Sequence, residues 1–217
     1  MDNQAGARQP YRIVTPPSAA TMACKRAFDI LCSFLGLTVL SPVLLVVSVL
    51  VAVTSPGGVF FRQERIGKDG KPFRIFKFRS MRKDNAGLKI TTGNDSRITP
   101  VGRFLRKSKI DELPQLINVL VGDMSFVGPR PEVADYVNLY TPYQRQVLLV
   151  RPGIPGLGSL RFRHENDLLT ASDDPNRTYV EQIMPRKIDL DLEYIPHASV
   201  FYDIKLIFQT FAVVIKE

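Results

Sequence analysis

From Ile30 to Val53 the chain reads ILCSFLGLTVLSPVLLVVSVLVAV, without a charged residue. As a helix these 24 residues would extend about 36 Å, against a hydrocarbon core of about 30 Å, so the run predicts insertion into a bilayer. A cleavable leader fits poorly, because the run is too long and leads into TSPGG rather than a small-x-small cleavage site. The residues before it, with Pro10, Pro16 and Pro17, read as a disordered lead-in. The expected organisation is a lead-in over 1–22, a membrane helix over 23–54 and a cytosolic catalytic domain over 55–217.

Ser41-Pro42 lies near the middle of the apolar run. Proline removes a backbone donor and clashes with the carbonyl four residues back, that of Thr38, so the helix is expected to bend or break there. A kinked spanning helix is one reading, since a serine hydroxyl can satisfy the freed carbonyl. Charge points to another. Lys25 and Arg26 flank one end, and Arg62, Arg65, Lys68 and Lys71 follow the other. Basic residues prefer the cytoplasm, so both ends want the same side. Each half, about 18 Å as a helix, is too short to cross but long enough to enter and return. The charge pattern therefore predicts a re-entrant helix-break-helix hairpin.

A formal net charge of +8 and a pI near 9.6 imply an anionic partner: nucleic acid, an anionic membrane surface or a phosphorylated metabolite. Cys24 and Cys32 would stand about 12 Å apart on one helix, too far for a disulfide. With His164 and His197 the only histidines, a zinc site is not expected, and any metal should be a hard, oxygen-ligated one.

Beyond the apolar run, VFFRQERIG and KPFRIFKFRSM flank a turn containing Asp69-Gly70 and predict a β-hairpin. The stretch from Arg82 to Arg97 reads as a surface loop. Thr99-Pro100 is a helix start leading into VGRFLRKSK, with Arg103, Arg106 and Lys107 on about one face. IDELPQLINVL then sets Asp111 and Glu112 before Pro114 and a short apolar helix. Further helices are expected over Thr178 to Met184 and Pro185 to Tyr194. In the C-terminal FYDIKLIFQTFAVVIKE, Phe201, Ile204, Ile207, Phe208 and Phe211 fall at helical spacing; the helix lies on the membrane surface or packs on the core. The fold class read from this pattern is α+β, mostly helical: the membrane hairpin joined to a small cytosolic domain with a β-hairpin and interfacial amphipathic helices.

Two adjacent carboxylates at a helix N-terminus can act as plain capping groups, favoured by the orphan amides and the macrodipole. Here a basic face precedes them and Gly128-Pro129-Arg130-Pro131-Glu132 follows. The two prolines fix φ around Arg130, presenting a planar fork at low entropic cost for phosphate oxygens. A carboxylate nucleophile, a neighbouring acid, arginines and a hard cation are suited to attack on a phosphoanhydride. Mg²⁺ fits, since it accepts one or two carboxylates plus substrate phosphates.

The segments KRAFDILCSFLGLTVLSPVLL, FRQERIGKDGKPFRIFKFRSMR, LRKSKIDELPQLINVLVGDMSFVGPRPE and VRPGIPGL together resemble the bacterial sugar transferase family, the small monotopic phosphoglycosyl transferases. The resemblance runs from about Lys25 to the C-terminus. It implies transfer of a sugar 1-phosphate from a UDP-sugar to undecaprenyl phosphate with release of UMP, at the cytoplasmic face of the bacterial inner membrane, as the first membrane step of surface glycan synthesis. It implies Asp111 as the nucleophile beside Mg²⁺, through a covalent aspartyl-phosphosugar intermediate, with Glu112 as its partner in a catalytic dyad. The implied phosphate and substrate ligands are Arg106, Arg130, Pro129, Pro131 and Glu132, with Lys77 and Arg79 from the hairpin. Ser41-Pro42 matches the motif that makes the membrane segment re-entrant, and Lys25-Arg26 the basic pair at the membrane interface. One departure is GSLRFRHENDLL after the RPGIPGL motif, where many relatives carry a polar stretch around a Gln and an Asn. The sugar, the glycan and the oligomeric state stay open, a homodimer included. The partners expected are a UDP-sugar, undecaprenyl phosphate and a lipid bilayer, and no nucleic acid. The rival is a catalytically silent, membrane-tethered module that binds lipid or nucleotide and regulates glycan assembly.

Overall fold

The computed structural model describes residues 13–55, 57–82 and 97–216. Ser18 opens the first helix, α1 (Ala19–Thr54), its hydroxyl accepting from the Thr21 amide. The helix thus starts one turn before the expected boundary. Val14 of the expected lead-in is buried, with its amide donating to Gln146 Oε1 at 2.7 Å, whereas residues 1–12 lie outside those described.

Pro42 does not divide α1 into two helices: one helical element contains it. The Thr38 carbonyl, which loses the Pro42 N–H, accepts instead from Ser41 Oγ at 2.8 Å. The other hydroxyls of the run, Ser33, Thr38, Ser48 and Thr54, also fold back onto carbonyls four residues earlier, which hides them from apolar surroundings. Cys24 and Cys32 are free thiols, as their spacing required.

The expected hairpin forms. Strands β1 (Phe60–Ile66) and β2 (Pro72–Phe78) pair antiparallel, with Ile66 opposite Pro72, and Asp69 and Gly70 take the left-handed φ of 57° and 74° that such a turn needs. The loop read over Arg82 to Arg97 is closed at its base by the Met81–Ile98 bridge; its interior, 83–96, lies outside the described residues. Thr99 caps α2 (Pro100–Lys107) by accepting from the Gly102 amide at 2.9 Å. A 3₁₀ turn, Ile110–Glu112, precedes α3 (Gln115–Val121).

Then follow α4 (Ala134–Val137), α5 (Leu157–Arg161), α6 (Glu165–Thr170) and α7 (Pro175–Thr178). A π-helical turn, Tyr179–Ile183, joins α7 to α8 (Met184–Tyr194), so the two helices expected here form one helical run. The last helix is α9 (Val200–Lys216). The main core gathers Val127, Tyr136, Val147, Ile183, Ile188, Leu192, Ile195 and Leu206.

Two features of this frame bear on function. The VGPRPE and RPGIPGL segments run backbone against backbone: Ser125 donates to Pro152 O, Gly153 to Pro129 O and Gly128 to Pro155 O, at 2.8, 2.9 and 3.1 Å. A Cβ on Gly153 would come within 2.0 Å of the Gly128 nitrogen, so only glycine permits this approach, which fixes the Pro-Arg-Pro segment. Helix α1, in turn, packs on the same globular body on both sides of Pro42. Lys25, Asp29 and Ser33 are buried before it, and Val47 and Val51 after it, the latter two against Phe78 and Leu105. The opposite face leaves Leu31, Phe34, Val39, Leu45, Val46 and Val53 exposed.

Candidate active site

Lys109 adopts φ 58° and ψ 11°, a left-handed conformation that costs a residue with a side chain about 1–2 kcal/mol. It turns the chain from α2 into the 3₁₀ turn and so presents Asp111 and Glu112 to β2 and the Pro-Arg-Pro segment. Neither acid caps α3, whose first turn begins after Pro114 without a side-chain cap. The plain capping reading is therefore set aside.

The two acids have opposite surroundings. Glu112 Oε1 accepts from Lys77 Nζ at 2.8 Å and from Arg130 Nη2 at 3.1 Å. Burial alone would raise the Glu112 carboxyl, but Lys77 and Arg130 outweigh it and hold the group well below the usual carboxylate range. Glu112 in turn raises the Arg130 guanidinium, whereas burial lowers the Lys77 ammonium against the pull of Glu112. Asp111 is only 8% exposed, and its Oδ1 is closed off from water without a hydrogen-bond partner. Burial raises its carboxyl and the Glu112 charge adds to the rise; Lys77, Arg106 and Lys109 pull it back. One carboxylate is thus locked between cations, and its neighbour presents an unengaged oxygen to the same positive field.

Of the other expected ligands, Arg106 donates to the Met81 sulfur at 3.4 Å, a weak acceptor that holds the guanidinium loosely. Pro129, Pro131 and Glu132 contribute backbone: their carbonyls accept from Gly153 N, Arg65 Nη1 and Ile66 N. The Glu132 carboxylate is occupied by the Tyr179 hydroxyl and by Arg65 at 3.4 Å, so it braces the segment rather than facing a ligand. Arg79 is drawn away from the acids: Nε and Nη2 donate to the carbonyls of Gly58, Gly57 and Phe60, tying the linker after α1 to β2.

Lys25 and Arg26, the pair expected at the membrane interface, both make contacts within the protein, Lys25 buried and Arg26 half-buried. Lys25 is 4% exposed, pairs with Asp203 of α9 and donates to Tyr194 Oη at 3.0 Å. Arg26 donates to the Val119 and Leu120 carbonyls at 2.6 and 2.8 Å, where a cation suits the C-terminal end of α3.

Several supporting residues were not singled out in the sequence. Asp191 of α8 accepts from the Gly158 amide at 2.9 Å and from the Arg130 backbone amide, and burial pushes its carboxyl up to about 7 against those two donors. It therefore holds the Arg130 main chain while Glu112 holds the side chain. Tyr179, on the π-helical turn, clamps Glu132, and Lys187 donates to Glu165 at 2.6 Å beneath the Tyr179 ring. Asp191 had one legible signal: with Met184, Ile188 and Leu192 it falls on an apolar stripe, where a carboxylate needs a partner.

Among the described residues no three His, Cys, Asp or Glu side chains form a metal cluster. A hard cation would have the Asp111 carboxylate as its protein ligand beside the attacking oxygen and would take its remaining ligands from a bound phosphate or water, as Mg²⁺ commonly does.

A family model described as bacterial sugar transferase matches residues 20–217. Among curated proteins, the UDP-glucose:undecaprenyl-phosphate glucose-1-phosphate transferase of Escherichia coli K12 is 42% identical over 202 residues, 90% of this chain and 41% of that protein. The UDP-N-acetylgalactosamine-undecaprenyl-phosphate N-acetylgalactosaminephosphotransferase of Aeromonas hydrophila is 38% identical over 199 residues, 89% and 44% respectively. The exopolysaccharide production protein PSS of Rhizobium leguminosarum bv. phaseoli is 40% identical over 199 residues, 87% of this chain and 94% of that one. The chain thus spans about two fifths of the first two relatives and nearly all of the third.

Proposed function

The chain belongs to the bacterial sugar transferase family, and we propose that it transfers a sugar 1-phosphate from a UDP-sugar to undecaprenyl phosphate, releasing UMP, as an early membrane step of surface glycan synthesis. The observation that carries the reading is the contrast within the acid pair, a free Asp111 oxygen beside a Glu112 locked to Lys77 and Arg130. Asp111 Oδ1 attacks the phosphorus that bears the sugar; an O–P bond forms, the phosphoanhydride breaks and UMP leaves with the electron pair. An oxygen of undecaprenyl phosphate then attacks the same phosphorus and returns the carboxylate. Charge balances in both steps without a net proton transfer.

Lys77, Arg106 and Arg130 supply what the first step needs, because an anion approaches an anion only where fixed cations neutralise the diphosphate. Mg²⁺, when bound, adds neutralisation of the same phosphate oxygens. Glu112 keeps Lys77 and Arg130 together before substrate arrives, and Asp191 and Glu132 keep the Pro-Arg-Pro segment in place. Intact-protein mass spectrometry tests the mechanism: protein in detergent or nanodiscs, mixed with Mg²⁺ and a panel of UDP-sugars without lipid acceptor, is expected to gain one phosphosugar mass. Turnover with acceptor present but no adduct with any donor would overturn the covalent route.

We further propose that α1 is re-entrant, with the globular body at the cytoplasmic face of the inner membrane. Support comes from the packing of α1 on that body on both sides of Pro42, with an apolar outer face between. A spanning helix would have to tear one of these contacts away. On α9, Phe201, Phe208 and Phe211 are exposed beside Lys205, while Asp203 and Leu206 face inward, the pattern of a helix lying in the headgroup layer. Single cysteines placed at residues 20 and 58, in a chain stripped of Cys24 and Cys32, are expected to label from the cytoplasmic side alike. Labelling from opposite sides would exclude the re-entrant placement.

A further inference from the structure

We propose that Gln115 is a substrate-binding residue whose side-chain amide donates to a phosphoryl oxygen of the nucleoside-diphosphate sugar, the group whose phosphorus faces Asp111. The inference rests on the functional reading above and deepens it.

Gln115 is 2% exposed, and its Nε2 is closed off from water without a hydrogen-bond partner. A buried amide left unpaired is costly, and folded chains leave few of them. Its neighbour one turn on shows how well the fold can satisfy such a group. Asn118, fully buried on the same helix, accepts from Phe76 N at 2.9 Å and donates to Arg74 O at 2.8 Å and to Asp123 at 3.2 Å. The same helix thus leaves Gln115 Nε2 without a partner while Asn118 is fully engaged.

In the segment from Lys109 to Val121 the other closed-off, unpartnered side-chain atom is Asp111 Oδ1. Leu113 and Pro114 have right-handed helical backbones, so Asp111 and Gln115, four residues apart, fall on about the same face. One is a donor and the other an acceptor, yet they do not bond to each other. A phosphoryl group suits both: a non-bridging oxygen accepts from the amide while phosphorus meets the carboxylate oxygen. Lys77, Arg106 and Lys109 already place positive potential at this point, and Arg106, whose one hydrogen bond among the described residues is to a thioether, can move to admit the ligand. A neutral donor adds a directional contact where further positive charge would only hold Asp111 more tightly.

Thermal unfolding separates this role from a structural one. Gln115→Met keeps the approximate volume and removes the amide. Without ligand its melting temperature is expected to hold or to rise by about 2–4 °C, since an unpaired buried carboxamide is gone. Titration with UDP-glucose and with UDP-N-acetylgalactosamine, each with Mg²⁺, is expected to stabilise the parent chain. The half-saturating concentration should rise at least tenfold in Gln115→Met for any donor that stabilises the parent. An unchanged half-saturating concentration overturns the assignment and leaves the functional reading standing. A parent that responds to no UDP-sugar overturns both. Should Gln115→Met fail to fold, Gln115→Asn, which withdraws the amide by one methylene, gives the same reading: a weakened response supports the contact and a parental response removes it.

Discussion

Asp111→Asn is expected to abolish the phosphosugar adduct and to lower turnover by at least about 10⁴-fold, the scale of losing a covalent nucleophile, while the fold is retained. Asparagine has the shape of aspartate but no carboxylate oxygen able to attack phosphorus. Stability should hold because no hydrogen bond to Asp111 Oδ1 exists to be lost. The change also relieves the burial and the Glu112 repulsion that raise this carboxyl, at the expense of attraction to Lys77, Arg106 and Lys109. Glu112→Gln should differ in kind. It leaves Lys77 and Arg130 without the anion they share, so turnover and melting temperature fall together. Steady-state turnover with a UDP-sugar and undecaprenyl phosphate, paired with thermal unfolding of each variant, distinguishes the two. Turnover in Asp111→Asn within tenfold of the parent would remove Asp111 as the nucleophile.

Much of this arrangement was legible where the signal is local. Asp69-Gly70 announced the hairpin turn and Thr99-Pro100 the start of α2, because each feature depends on a few neighbouring backbone dihedrals or one capping bond. Gly153 was legible only as part of a motif; its reason is a contact with Gly128, far away in the chain. The side-chain assignments were hardest. Arg79 and Arg130 were both expected to hold phosphate, yet one meets linker carbonyls and the other an acid. Glu132 stands in the Pro-Arg-Pro-Glu segment as if to greet a ligand, but Tyr179 reaches it from the π-helical turn. Pro42 was read from its missing donor, and the outcome turned on Ser41, whose hydroxyl replaces the lost bond and lets α1 continue.

Lys25 shows the same limit most sharply, and it carries the second large effect. Next to an apolar run it reads as an interface anchor, yet it ends inside the protein against Asp203, which is fully buried. Tyr194 completes the group: its hydroxyl accepts from Lys25 Nζ at 3.0 Å and donates to Asp203 Oδ1 at 2.6 Å. This group joins α1 to α9, so its loss should be felt as loss of fold. Lys25→Met leaves the Asp203 carboxylate buried without its cation, a situation that costs about 3–5 kcal/mol. In a domain of this size that corresponds to a fall in melting temperature of about 6–20 °C. Lys25→Met combined with Asp203→Leu removes both charges and should recover most of the loss, because an apolar pair of similar volume can replace a buried ion pair at little net cost. The adduct yield per folded molecule should stay near parental in the double variant, since neither residue touches the acid pair. A Lys25→Met chain that melts with the parent, or a double variant as unstable as the single, would mean that the pair does not hold α1 to α9 and that apolar packing along α1 suffices.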